Sequence, residues 1–193
     1  MNVWQKYKSI TPLWRWFFQF LVFMLVLAIL FAPQKRIVDY NDVSFISSAN
    51  SRLYFHNVRS FYYQIDKSSK KPMLIYSLKR RVSERDSFSL NFDIIRNPTS
   101  DDAFIYSYLG KGYAPEDSLE LLFAAYDGRE TLLNIRNENH FRIAAKTYTS
   151  FIKEDLIYLM HGSDTIKELF TDQSAYIDTE ITLEDYFKLV QKG

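Results

Sequence analysis

Hydrophobic and polar positions along this chain fall into distinct regimes, and each predicts a different kind of element. From Trp16 to Ala32 every residue except Gln19 is apolar. From about residue 43 to residue 109, apolar and polar residues alternate in short runs. From about residue 140 onward, apolar residues recur at helical steps.

The first regime predicts one N-terminal transmembrane helix over residues 14–33. About 17 apolar residues at about 1.5 Å rise reach roughly 25 Å, a little short of a hydrocarbon core of about 30 Å. The two lips supply the rest. Trp14 and Trp16 suit the headgroup layer, Arg15 can snorkel towards it, and Pro33 ends the helix. No Asp, Glu, Lys or Arg lies inside the run, which argues against an ion or proton path within it. Gln19 is expected at the interface, with a hydrogen bond to another membrane helix as the alternative.

Lys6, Lys8 and Arg15 precede the run, and its exit lacks a convincing small-x-small site. That pattern predicts an uncleaved signal anchor. The Lys and Arg bias places the N-terminus in the cytoplasm and the rest outside it, in the periplasm if the cell is bacterial. The chain then divides into a head (1–13), an anchor (14–33), a linker (34–42) and one soluble domain (43–193). In the head, Trp4 and Tyr7 beside Lys6 and Lys8 suit a membrane surface, or else an unstructured tail.

The second regime predicts strands. Phe88 to Ile94 alternates apolar and polar residues strictly, as a strand with one buried and one wet face does. Strands are also expected at 43–46, 53–55, 61–65, 73–78 and 103–109. A helix from Asn50 to Ile65 competes with two of them, because Leu53, Val58, Phe61 and Ile65 nearly follow helical spacing. Residues 119–135 read as a hairpin turning at Asp127-Gly128, or as a helix closed by Gly128. The third regime predicts a helix from about His140 to Met160, with a strand over 141–151 as the alternative. Thr165-Ile166-Lys167-Glu168 matches a capping box, and a closing helix is expected from Thr182. The fold class is α+β: one transmembrane helix, then a mainly antiparallel β-sheet domain with C-terminal helices packed on it.

Composition narrows the function. The chain has no cysteine, so thiol catalysis, thiolate zinc and Fe–S ligation are excluded. A net charge of +1 supplies no field for nucleic acid. His56, His140 and His161 have no ligand spacing, and no P-loop, GxSxG, GxGxxG or HExxH occurs. Gly110-Lys111-Gly112 lacks the helix start that a phosphate loop needs. Asp101-Asp102 reads as a loop tip, and Asp93 as a solvated strand residue unless helices cover its face.

What stands out is aromatic and basic. Tyr62 and Tyr63 are adjacent, so in a strand one of them must point away from the core. Lys79, Arg80 and Arg81 form a basic run. These five residues are the candidate interaction surface; Trp14, Arg15, Trp16 and Pro33 are the candidate anchor. The expectation is a non-enzymatic, single-pass membrane protein without cofactor or metal. Its partners are the lipid bilayer and a protein bound by the outer domain, as an accessory subunit of an envelope complex. The alternative is a tethered sensor or carrier of a small molecule, lipid or peptide.

Overall fold

A computed structural model describes residues 12–30, 35–68, 72–82, 89–110, 119–125, 128–136 and 138–190. The chain divides into two compact units, Met1–Lys35 and Arg36–Gly193.

In the first unit, helix α1 runs Pro12–Leu30. Its large apolar side chains are exposed, Trp16 at 74% and Leu30 at 73%. Among the described residues, no helix is long and apolar enough to cross a membrane. The helix has 19 residues, and a span needs about 20 predominantly apolar ones. Its first turns hold Pro12 and Arg15, and the expected terminator Pro33 lies outside the described residues. The helix therefore begins before the expected 14–33 span, and residues 31–33 of that span lie outside the described residues.

The second unit begins close behind. Val38 is buried, and its carbonyl accepts from Thr149 Oγ1 at 3.2 Å, so the domain takes hold inside the stretch expected as linker. Helix α2 (Ala49–Tyr54) continues through a π turn (Phe55–Arg59) and a 3₁₀ turn (Ser60–Tyr62). Then come β1 (Tyr63–Lys67), β2 (Leu74–Leu78), a helical turn α3 (Lys79–Val82), β3 (Leu90–Arg96) and β4 (Ala103–Leu109). The four strands make an antiparallel meander in the order β1-β2-β3-β4.

Next follow β5 (Leu119–Ala124), β6 (Glu130–Asn134), helix α4 (His140–Lys153), β7 (Leu156–His161), β8 (Asp164–Glu168) and helix α5 (Gln173–Leu189). Their strands form a second antiparallel sheet, ordered β6-β5-β7-β8. The α+β class and the C-terminal helices agree with the sequence. The single sheet does not: the described residues form two.

Several expectations are corrected, each by a local cause. Residues 50–62 take the helical reading, because Ser48 caps α2: its Oγ accepts from Ser51 N, and Ser51 Oγ accepts from Ser48 N. Residues 119–134 take the hairpin reading, but the turn is wider than two residues. Ala125 N–H donates to Arg129 O, and Gly128 sits at φ 80, a conformation glycine takes without steric cost. The helix expected to reach Met160 stops at Lys153, because Glu154 turns left-handed at φ 60. Beyond it Ile157 and Leu159 are buried while Leu156 and Tyr158 are not, which is strand parity. Gly162, at φ 62, then turns the chain, and the supposed capping box at 165–168 lies in strand β8. The last helix starts earlier than expected, at Gln173, capped by Asp172, whose side chain accepts from Ala175 N at 3.0 Å. Residues 43–46 contribute an isolated bridge, Ile46 to Asp102.

Helix α4 joins the halves. It touches β4 of the first sheet and β5 and β7 of the second, and α5 packs on β3, β4 and α4. Strand β5 buries Leu119, Leu121 and Phe123 on one face, and β3 buries Leu90, Phe92 and Ile94. These belong to one continuous core with Phe141, Tyr148, Tyr186 and Phe187 of the helices. The outer edge of β4 is covered. Ala103 N–H donates to Phe45 O, and Ser107 N–H donates to His140 Nδ1.

Candidate functional site

The expected interaction residues converge around the end of the α2 segment. Phe55 is buried against Tyr63 and Tyr76, with ring centroids 5.7 and 5.2 Å away. That anchor fixes how the π and 3₁₀ turns face. Ser60 Oγ donates to His56 O at 2.5 Å and holds the transition between them. The result separates the two adjacent tyrosines: Tyr62 is 57% exposed and Tyr63 only 2%. Phe61 is 70% exposed.

Beneath them lies a buried polar knot. Asp185 of α5 is buried, and each of its oxygens is engaged. Arg59 Nε donates to Oδ1 at 2.7 Å, and Tyr63 OH donates to Oδ2 at 2.8 Å. Burial raises the Asp185 carboxyl pKa above the usual carboxylate range, against the opposing pull of Arg59 and Tyr63. Burial, then the Asp185 charge, pushes the Tyr63 phenol well above its ordinary value. The Arg59 guanidinium loses hydration, but its bond to Asp185 more than offsets this and raises its pKa. A carboxyl with a raised folded pKa takes up its proton more readily folded than unfolded. Asp185 therefore favours the fold more as pH falls through that raised value, and does not drive acid unfolding.

The basic run divides between the surface and the interior. Lys79 Nζ donates to Phe61 O at 2.8 Å, which straps α3 to the 3₁₀ turn. Arg80 reaches the buried Asp178 at 2.5 Å while its own side chain stays mostly exposed. Arg81 turns inward, donating to Thr179 Oγ1 at 2.6 Å and to Leu90 O at 3.4 Å. Lys67 and Lys79 lie at opposite ends of the β1–β2 ladder.

Phe61, Tyr62, Lys79 and Arg80 thus border one groove of about 490 Å³, with Leu78, Ile181 and Arg59 completing it. The Arg59 guanidinium lies 5.0 Å from the centre of the Tyr62 ring. The carboxylates are the buried ends of these pairs and the cations are the outer ends, so the groove presents apolar walls with a basic rim. Tyr62, Lys79 and Arg80 were legible as surface candidates. Tyr63 and Arg81 belong instead to the packing beneath. Arg59 and Phe61 were missed, although a helical reading of this stretch places Arg59 one turn before Tyr62.

The remaining candidates lie elsewhere. Trp14 and Trp16 are exposed on α1, Arg15 is half-buried, and Pro33 is outside the described residues. Among the described residues no group of three His, Cys, Asp or Glu side chains could hold a metal. Asp93 is half-buried and accepts from Tyr108 OH at 3.5 Å. His140 Nδ1 lies 2.8 Å from Ser107 Oγ, and Ser107 is only 3% exposed, so the pair ties α4 to the edge of β4.

That contact carries a pH prediction. Burial lowers the His140 pKa, with the Ser107 bond opposing. The folded state binds this proton less readily than the unfolded chain. The histidine's contribution is whole above about pH 6.5 and is lost as pH falls through the lowered folded value. The urea midpoint is expected to fall between pH 7.5 and pH 5.5, and His140→Gln to flatten part of that slope. An unchanged slope in the variant rejects the assignment.

Comparison of the chain with protein-family models, with curated proteins and with solved structures finds no match.

Proposed function

We propose that this chain is a membrane-tethered, non-enzymatic protein whose extracytoplasmic domain docks a partner protein, as an accessory or assembly subunit of an envelope complex. The observation that carries the tether is α1. From Phe17 to Val26 its side chains are apolar apart from Gln19, and the large ones are exposed. A helix that is hydrophobic all round is not stable in water and belongs in an apolar surrounding. The apolar residues that follow in sequence, Phe31 and Ala32, extend the run, and Trp14, Arg15 and Trp16 at its lip suit the headgroup layer that completes the crossing. The charge bias of Lys6, Lys8 and Arg15 favours an N-terminus in the cytoplasm.

The groove supports the docking half of the reading. Exposed aromatic side chains beside arginine are enriched where proteins bind proteins. The second reading, a tethered carrier of a small molecule, lipid or peptide, draws on the same groove, whose volume of about 490 Å³ suits a small ligand. Neither reading invokes a cofactor or nucleic acid.

The test is membrane retention. The chain is expected to stay in the pellet through alkaline carbonate extraction, with a C-terminal reporter active outside the cytoplasm. The double substitution Val22→Arg and Leu25→Arg places two charges mid-helix, each costing about 2.5–3.5 kcal/mol on insertion scales. It is expected to release most of the protein. A wild-type chain that is freely extracted rejects the tether.

A further inference from the structure

A second cavity, which shares no lining residue with the docking groove, has a different chemistry. It occupies about 310 Å³ where the end of α4, the start of β7 and the segment joining β8 to α5 meet. Its aromatic walls are Phe151, Phe170 and Tyr176. Phe151 packs edge-on against Phe170 at 5.0 Å and tilted against Tyr176 at 4.3 Å, which sets two rings around a third. Phe170 and Tyr176 remain partly exposed, while Phe151 is buried. Three carboxylates, Glu154, Asp155 and Glu168, share the wall, and no lysine or arginine is among the described lining residues.

One feature marks this as a built site. Ser150 lines it and is wholly buried, and its Oγ has no hydrogen-bond partner, which costs free energy unless something else is served. Tyr176 OH donates to Phe151 O at 3.2 Å, which holds the rings in place.

We propose that this cavity binds a small organic ammonium ion. Ring faces attract a cation through their quadrupole, an alkylammonium also presents apolar methyl or methylene groups to them, and the carboxylates supply the counter-charge. A bare metal ion would have no use for the rings, and a neutral apolar ligand none for the carboxylates. The assignment is independent of the docking groove and of the tether.

Calorimetry on the full chain in a maltoside detergent tests it, with tetramethylammonium and choline as probes. Saturable binding is expected, with Kd on the order of 1 mM or tighter. The uncharged carbon analogue of choline, 3,3-dimethylbutanol, is expected to bind at least about tenfold more weakly. Glu168→Gln, Asp155→Asn and Tyr176→Leu are each expected to weaken choline severalfold, with an unchanged circular dichroism spectrum showing that the fold is kept. Phosphocholine run beside choline separates a headgroup from a free amine as the source, and binding of either supports the site. Equal binding of the neutral analogue reduces the cavity to an apolar pocket and overturns the proposal. So does wild-type affinity in all three variants, displacement of choline by calcium at equal concentration, or no saturation up to about 100 mM.

Discussion

Phe141→Ala is expected to remove about 3–5 kcal/mol of stability, a large part of the roughly 5–15 kcal/mol that holds a domain of this size. Phe141 is fully buried on α4, the helix that touches both sheets. Its ring packs edge-on against Phe45, Tyr186 and Phe187, with centroids 6.1, 6.3 and 5.8 Å away. Those partners come from the segment before α2 and from α5, so one truncation opens a void where separate parts of the domain meet. Urea unfolding followed by circular dichroism measures the loss. Phe141→Leu keeps most of the volume and is expected to cost less than half as much. A cost below about 1 kcal/mol for the alanine variant contradicts a shared core between the sheets.

Asp185→Ala acts on polar rather than apolar packing. It strips both oxygens from the Arg59–Asp185–Tyr63 knot. The Tyr63 hydroxyl is then left buried without this acceptor and Arg59 without its counter-charge. Breaking a fully buried pair costs about 3–5 kcal/mol, but the Arg59 side chain is 24% exposed and recovers some hydration. The expected loss is about 2–3 kcal/mol, or roughly 6–9 °C in Tm. Removing both charges tells the pair apart from its packing. Asp185→Leu with Arg59→Met is expected to regain about half of the loss, because no unpaired charge remains. A double variant as unstable as the single one means that the knot matters for shape, not charge. The same pair bears on docking, since Arg59 is the cation beside Tyr62.

The local elements were legible wherever one physical signal dominated. Strict alternation from Phe88 to Ile94 marked the strand that became β3, and the apolar run after Trp16 marked α1. Elements went astray where two signals coincided. Leu156 and Leu159 continue the helical spacing of α4, so spacing alone carries the helix through to Met160; nothing in that spacing announces that Glu154 adopts a left-handed conformation. Thr165 to Glu168 has the letters of a capping box, but its backbone pairs with β7. A strand ladder satisfies those backbone groups as well as a helix does, and its partner is outside the window in which a cap is read.

The candidate sites divide in the same way. Adjacency alone implied that one of Tyr62 and Tyr63 faces outward, and Lys79 and Arg80 are cationic whatever the fold. Their meeting in one groove depends on α5. Asp178 and Asp185 stand about a hundred residues away and hold Arg80 and Arg59 in place. The aromatic and acidic cavity was invisible for the same reason, since Phe151, Glu168 and Tyr176 are ordinary residues of three separate elements.

Composition and periodicity, read along the chain, were enough to establish an apolar N-terminal helix, a cysteine-free α+β domain, and the residue types available at its surface. These are properties of short windows, where side-chain spacing and transfer energies act without reference to the rest of the molecule. Whether there is one sheet or two, which tyrosine is buried, and which carboxylate meets which cation were decided only on folding. Those outcomes depend on pairings between distant segments, whose energies arise once water has been removed from between them.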